Sequence, residues 1–196
     1  MRAGNGNVRV LISRRELDLR VSELAAEIDR DYGREKAERP ASGEGDGPDG
    51  DPLVCVGVLK GSVFFLADLL KQLTIPLAVD FLQAASYGAG IRPGELRIRK
   101  DIDLEIGGRD VLLIEDIVDT GRTVSAILAL LRCRGARSVR LCALLDKQAA
   151  RQVEVEIDYR GFEIPDHFVV GYGLDVGERF RNLPYIGVWK PAAPAS

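Results

Sequence analysis

Val111-Leu112-Leu113-Ile114-Glu115-Asp116-Ile117-Val118-Asp119-Thr120-Gly121-Arg122-Thr123-Val124-Ser125 is the stretch on which the reading of this chain turns. It begins as a buried strand, Val111 to Ile114, and ends in the acids Glu115, Asp116 and Asp119. A small polar turn, Thr120 to Thr123, follows, and a helix is predicted from about Thr123. A strand that opens straight into a helix N-terminus makes an anion site, because unpaired backbone N–H groups point outward there. Carboxylates beside such a site suit something other than phosphate: sugar hydroxyls, a Mg²⁺ ion or a proton in transit. A phosphorylated sugar satisfies all of these groups together. The stretch is not a Walker A loop, and no Gly-x-Gly-x-x-Gly follows a strand as a dinucleotide fingerprint requires.

Working outward, Val8 to Ile12 predicts a short strand. Ser13 to Glu16 has the form of a capping box, and Leu17, Val21, Leu24, Ala25 and Ile28 continue at helical spacing to about Tyr32. Leu53 to Leu59 predicts a central strand, Lys60-Gly61-Ser62 a turn, and Val63 to Leu73 a helix. Pro76 breaks the chain before a strand from Leu77 to about Ala84. Ser86 to Gly94 is rich in glycine and predicts an exposed flexible loop, with Leu96 to Arg99 as a returning strand. The helix that starts at Thr123 ends near Arg134, closed by Gly135. Val139 to Leu145, Phe168 to Gly171 and Tyr185 to Trp189 are further strand candidates. Strands alternating with helices imply an α/β fold with a mainly parallel sheet covered on both faces. Ligands in such sheets bind at the carboxyl ends of the strands.

The chain has 196 residues and a net charge of −3, which fits one domain and implies no general attraction to nucleic acid. No apolar run is long enough to span a bilayer, and no signal-peptide pattern opens the chain. Cys55, Cys133 and Cys142 are odd in number and widely spaced, which fits reduced, buried thiols in the cytoplasm better than disulfides or a metal site. The single histidine, His167, makes a His-based zinc site or a protease-type triad improbable; it reads as a surface residue. Residues 37–52 are rich in Gly, Asp, Glu and Pro and predict a mobile acidic loop inside the single domain, 1–196. Deleting Ala41 to Gly50 is therefore expected to leave kcat/KM and melting temperature almost unchanged, since loop shortening costs little closure entropy. A large fall in either would show that the loop packs on the domain or on a partner subunit.

Four further segments fit the same sheet edge. Lys60 and the neighbouring amides can hold a pyrophosphate, although Leu59 to Ser62 is also an ordinary strand-to-helix turn. Ser86-Tyr87-Gly88 heads a loop that can close over a reacting centre and exclude water, or form a plain hairpin. Lys147, just past a buried strand, either marks the return to solvent or donates hydrogen bonds to a carbonyl or ring nitrogen. In Pro165 to Asp175, Phe168 is either core or a stacking surface for a flat base. Asp175 can bind Mg²⁺, and Arg181 can pair with a leaving pyrophosphate.

Taken together, from about Val10 to Trp189, these motifs and their order resemble the hypoxanthine-guanine phosphoribosyltransferases. The Glu115 to Thr123 run is similar to the phosphoribosyl pyrophosphate (PRPP) signature of type I phosphoribosyltransferases, and Pro165 to Asp175 separates this family from the others. The resemblance implies the type I fold with a small hood or lid region. It implies transfer of phosphoribose from PRPP to hypoxanthine or guanine, giving IMP or GMP and pyrophosphate. Glu115 and Asp116 would hold the ribose hydroxyls directly or through Mg²⁺, and Asp119 would act as general base or acid near the purine N7. The 5′-phosphate would sit on Asp119, Thr120, Gly121, Arg122 and Thr123. Lys147 would donate to the purine 6-oxygen, Phe168 would stack on the base and Val169 would touch its far edge. Asp175 would ligate Mg²⁺, and Arg181, Lys60 and Gly61 would serve the pyrophosphate, with Ser86 and Tyr87 on the lid. In the family the peptide before that lysine can be cis. Relatives form dimers and tetramers.

One segment departs from the family pattern. The lid reads Gly90-Ile91-Arg92-Pro93-Gly94 where relatives carry small polar residues, and Pro93 stiffens it. Two rival readings stand beside the first: a xanthine-preferring transferase, and a nucleotide-responsive RNA-binding regulator on the same fold. The second needs a basic face, for which Arg132, Arg134, Arg137 and Arg140 are the candidates.

Overall fold

The computed structural model describes residues 8–38, 51–86 and 96–191. The first strand, β1 (Val8–Ile12), leads into α1 (Arg14–Glu38) through the expected capping box. Ser13 N–H donates to Glu16 Oε2 at 2.7 Å, and Glu16 N–H donates back to Ser13 Oγ at 3.3 Å, so two orphan amides of the first turn are satisfied reciprocally. The helix runs past Tyr32, where the pattern ended. Gly33 does not stop it, because good helix formers follow and Glu35 is held by an ion pair with Arg140. The helix thus takes in the start of the predicted 37–52 loop, and residues 39–50 of that loop lie outside the described residues.

The chain continues through β2 (Leu53–Val58), α2 (Val63–Leu70), β3 (Leu77–Ser86), β4 (Leu96–Lys100), β5 (Asp110–Val118), α3 (Arg122–Cys133) and β6 (Ser138–Asp146). A short 3₁₀ turn, Gln148–Ala150, precedes β7 (Tyr159–Glu163), β8 (Val169–Val170) and β9 (Ile186–Trp189). Six strands form the main sheet in the order β4-β3-β2-β5-β6-β7. Every pairing in it is parallel except β3 with β4, which is the returning strand expected from the sequence. The other three make a separate antiparallel sheet, β1-β9-β8. That small sheet is the hood, and it carries the Phe168 segment above the edge of the main sheet.

Side-chain alternation along the buried strands sorts the core into two layers. Val54, Val56 and Val58 of β2 and Val111 and Leu113 of β5 pack with Val124, Ile127, Leu128 and Leu131 of α3. Leu53 and Cys55, with Leu112 and Ile114, pack on the other face with Leu17, Leu24 and Ile28 of α1 and Phe65, Leu66 and Leu69 of α2. A sheet covered on both faces needs strands that are apolar at every position, and β2 is buried from end to end. Each such aliphatic side chain contributes roughly 1.5–3 kcal/mol on burial.

Strand order reverses between β2 and β5. The chain leaves β2 for β3 on one side, then crosses to β5 on the other. The loops at their carboxyl ends therefore diverge and open a crevice, which is where open α/β sheets bind ligands. Cys55 and Cys142 are buried, and burial pushes the Cys55 thiol up to about 12. Cys133 corrects the expectation of three buried thiols: it sits exposed at the last position of α3. Among the described residues no helix is long and apolar enough to cross a membrane.

Candidate active site

A cavity of about 390 Å³ lies in that crevice, a volume usual for a small-molecule site. Its floor is the turn after β2, its back wall the end of β5, and its far rim the hood.

The turn after β5 is built by backbone bonding. Gly121 has φ +81°, a left-handed conformation that favours glycine, and an added Cβ would lie 2.3 Å from Val153 O. Gln152 and Val153 both donate their N–H groups to Thr120 O at 3.0 Å, so the segment after the 3₁₀ turn clamps the loop. Gly121 supplies no side-chain cap to α3. The first-turn amides of this 12-residue helix are thus free to meet an anion. Thr123 lines the cavity, while Thr120, Gly121 and Arg122 form the turn leading to it.

Glu115 and Asp116 are consecutive residues near the carboxyl end of β5, and both line the cavity. Burial, then repulsion from Asp116, raises the Glu115 carboxyl well above its ordinary range. Burial also raises Asp116, against the opposing effects of Glu115, the Ile117 amide and Arg181. Asp116 Oδ1 accepts the Ile117 N–H at 2.8 Å. Glu115 Oε2 is buried with no protein hydrogen-bond partner, and an orphaned buried oxygen of this kind marks a place where a ligand donor or cation belongs.

The turn after β2 approaches this pair very closely. The Leu59–Lys60 peptide is cis, as the resemblance allowed. Gly61 lies so near Asp116 that an added Cβ would fall 1.5 Å from Asp116 Oδ2. From the other side Gly173, at φ +107°, presses on Gly61, where an added Cβ would sit 1.8 Å from Gly61 O. The 171–181 loop is therefore docked on the Lys60-Gly61 turn. Arg181 is fixed within it, donating to Gly173 O at 2.7 Å and pairing with Asp175 Oδ1 at 2.8 Å. Glu178, whose N–H donates to Asp175 Oδ2 at 2.7 Å, reaches Lys60 Nζ at 3.1 Å and Arg181 Nη2 at 3.4 Å. The Lys60 ammonium holds the Glu178 carboxyl below its ordinary range.

On the opposite side Lys147 has a buried side chain between two carboxylates, Asp166 at 3.3 Å and Asp119 at 3.7 Å. Both acids are at least half exposed. Val169 is buried in the hood, whereas Phe168 is 53% exposed and leans on Trp189 with ring centroids 5.5 Å apart. Phe168 is thus not core: its ring makes a tilted contact with Trp189 and the residue lines the cavity.

The structure brings Lys60, Gly61, Glu115, Asp116, Asp119, Thr123, Lys147, Phe168, Val169, Asp175 and Arg181 to one cavity. Ser86 ends β3, and Tyr87 with the rest of the lid to Glu95 lies outside the described residues. Asp175 is not gathered with Glu115 and Asp116 into one cluster, and no three acid, His or Cys side chains converge on a metal position among the described residues. The Asp175 carboxylate is engaged instead by Arg181 and by the Glu178 amide. Three contributors escaped the sequence reading. Ile117 lines the cavity, Asp166 anchors Lys147, and Glu178 bridges Lys60 to Arg181. Asp166 stood in a segment already singled out and Glu178 just beyond it, but Lys147 and Lys60 come from other elements. His167 is exposed, as expected.

Of the four arginines considered as a basic face, Arg134 pairs with Asp101 at 2.5 Å and Arg137 with Asp110 at 2.8 Å. Arg140 is held by Glu35 and stacks over Tyr32, 4.9 Å from the ring centroid. Arg132 lies on a groove that also carries Glu154, Glu156 and Asp158.

Comparison with known proteins adds an independent line. The phosphoribosyl transferase domain family matches residues 14–176. The hypoxanthine-guanine phosphoribosyltransferase of Bacillus subtilis is 46% identical over 185 residues, covering 94% of this chain and 94% of that protein. The bifunctional protein TilS/HprT of Listeria monocytogenes is 49% identical over 93% of this chain, which spans only 26% of that longer protein. The crystal structure of a hypoxanthine phosphoribosyltransferase from Staphylococcus aureus superposes with a TM-score of 0.83 at 42% identity, covering 95% of this chain and 94% of that one.

Proposed function

Because this chain belongs to the phosphoribosyl transferase domain family, and within it to the hypoxanthine-guanine phosphoribosyltransferases, we propose that it transfers the phosphoribosyl group of PRPP to hypoxanthine or guanine, yielding IMP or GMP and pyrophosphate. One observation carries this reading. A single cavity unites the phosphate turn, the buried acid pair, the Lys60 turn, Lys147 and the half-exposed Phe168.

The chemistry asks for opposite charges at opposite ends. As the bond from ribose C1 to pyrophosphate lengthens, the sugar becomes oxocarbenium-like and the departing group gains negative charge. Glu115 and Asp116 sit where they would hold the ribose hydroxyls and face the developing positive charge. The amides at the start of α3, with the Thr120 and Thr123 hydroxyls, take the 5′-phosphate. Lys60, Gly61 and Arg181 receive the pyrophosphate. Asp119 accepts the proton that the purine loses as its N9 bonds to C1. Lys147 fixes the base by its 6-oxygen, Val169 meets the far edge and Phe168 covers the ring. The lid role that the family resemblance gives Ser86 and Tyr87 would be to keep water from the sugar cation.

The donor set fits Mg²⁺. That ion needs only one or two protein carboxylates beside substrate phosphates, and Glu115 Oε2 is an orphaned oxygen. Glu115 and Asp116 would hold it on the ribose side, or Asp175 near the pyrophosphate, and it would neutralise phosphate charge when bound. The reading also places the protein in the cytoplasm as a homodimer or homotetramer. The exposed apolar residues Val63 and Phe64 on α2 and Val79 on β3 offer a surface for association. The RNA-binding alternative is disfavoured by the ion pairing of Arg134, Arg137 and Arg140. The deciding experiment is a steady-state assay with PRPP, Mg²⁺ and each of hypoxanthine, guanine, xanthine, adenine and uracil. Highest kcat/KM with hypoxanthine or guanine is the expected outcome; a preference for xanthine or no turnover would overturn it.

Phe168→Ala is expected to weaken purine affinity by roughly 1–3 kcal/mol while leaving PRPP affinity nearly unchanged. The ring is half exposed, so its removal opens no core cavity, and melting temperature should hardly move. Separate titrations with base and PRPP check this; equal loss of both affinities would mean a collapsed hood.

A further inference from the structure

We propose that Glu178 is an internal occupant of the pyrophosphate site: its carboxylate stands in for the ligand between Lys60 and Arg181, and incoming pyrophosphate displaces it. The inference rests on the functional reading above for the identity of that ligand, and deepens it.

The geometry points to substitution, not to simple bracing. One atom, Glu178 Oε2, contacts both cations, Lys60 Nζ at 3.1 Å and Arg181 Nη2 at 3.4 Å. Two cations sharing one oxygen is the arrangement that a phosphate oxygen would otherwise provide. The bridge joins two separate segments, the turn after β2 and the 171–181 loop, which pack directly on each other and both contribute to the cavity lining. The partners differ in how firmly they are held. Arg181 has further bonds to Gly173 O and Asp175, so it stays in place when the bridge opens. Lys60 and Glu178 have side chains 55% and 66% exposed, and an exposed ion pair is weak and easily exchanged. Glu178 is also tethered where it can return, since its N–H is bonded to Asp175.

A tethered competing anion has a definite consequence. It keeps two like charges neutralised while the site is empty. It weakens binding of the true anion and speeds its departure, which suits an enzyme of a kind where product release commonly limits turnover. Glu178→Gln keeps the shape and removes the charge. It is expected to bind inorganic pyrophosphate, in the presence of Mg²⁺, about two- to fivefold more tightly than wild type, the upper part of the range for loss of an exposed ion pair. A residue that merely braced the loop would give the opposite sign on removal.

Calorimetric titration of the whole chain with pyrophosphate tests this in four proteins: wild type, Glu178→Gln, Lys60→Gln and the double variant. Tighter binding by Glu178→Gln, with the gain reduced to less than half when Lys60 is already Gln, supports displacement. A gain that stays above half reports ordinary long-range repulsion and overturns the proposal. Unchanged or weaker binding by Glu178→Gln also overturns it, while leaving the functional reading intact. Failure of the wild type to bind pyrophosphate at all removes the functional reading and the proposal with it.

Discussion

Asp119→Asn lowers kcat by ~10²–10⁴-fold and leaves PRPP affinity nearly unchanged, the range general acid–base groups commonly supply. Asp119 is the acid that follows β5 directly, on the base side of the cavity, with its side chain half exposed and Oδ2 3.7 Å from Lys147 Nζ. Three other carboxylates near the cavity are each engaged by a cation. Asp175 is bound to Arg181, Glu178 bridges Lys60 and Arg181, and Asp166 lies nearer to Lys147 than Asp119 does. Asparagine keeps the volume and an acceptor oxygen but cannot take up the proton of the purine. The phosphate turn should survive the change, because it is held through Thr120 O and the left-handed Gly121 and not through the Asp119 side chain. Steady-state kcat and a separate PRPP titration measure the two halves of the claim. A variant with near-wild-type kcat would reject the assigned role, and a lost PRPP affinity would show that the carboxylate builds the turn.

The main sheet was readable because its central strands are buried on both sides and so appear as unbroken apolar runs, Leu53 to Val58 and Val111 to Ile114. The α1 start was readable because the capping box is local chemistry, and it forms as the spacing dictates. The missed strand β7 reads Tyr-Arg-Gly-Phe-Glu. It is an edge strand with a glycine in its middle and a charged residue after each aromatic, so neither an apolar run nor a clean alternation marks it. The place of β1, β8 and β9 in a separate hood was not legible either, since strand pairing across the whole chain length leaves no local trace. The site divides in the same way. The polar residues that line the cavity sit in compact motifs and were named. Residues that meet only other site residues were not: Asp166 and Glu178 gain their meaning from Lys147 and from Lys60, which the fold brings to them. The buried state of Lys147 was equally invisible, because a lysine after a strand usually returns to solvent.

Lys147 carries the second large expected effect: the wild type favours 6-oxopurines over adenine by ~10⁴–10⁵-fold in kcat/KM, the scale on which a built polar site rejects a mismatched partner. An ammonium has three donors and no acceptor. Lys147 Nζ contacts Asp166 and Asp119, and the residue lines the cavity. A 6-oxygen accepts from it. A 6-amino group offers another donor, so neither group is satisfied and the buried cation bears the cost. Lys147→Gln should narrow the ratio from both ends, because the amide donates more weakly to the oxygen and can accept from the amine. The substitution should not disturb the fold. The bond from the Lys147 N–H to Val118 O at 3.0 Å is main-chain and survives, and the two orphaned acids are exposed enough for water to solvate them. Initial rates with hypoxanthine, guanine and adenine, for wild type and variant, decide the matter. Comparable kcat/KM for adenine and hypoxanthine in the wild type would sink both the role given to Lys147 and the 6-oxopurine reading of the site.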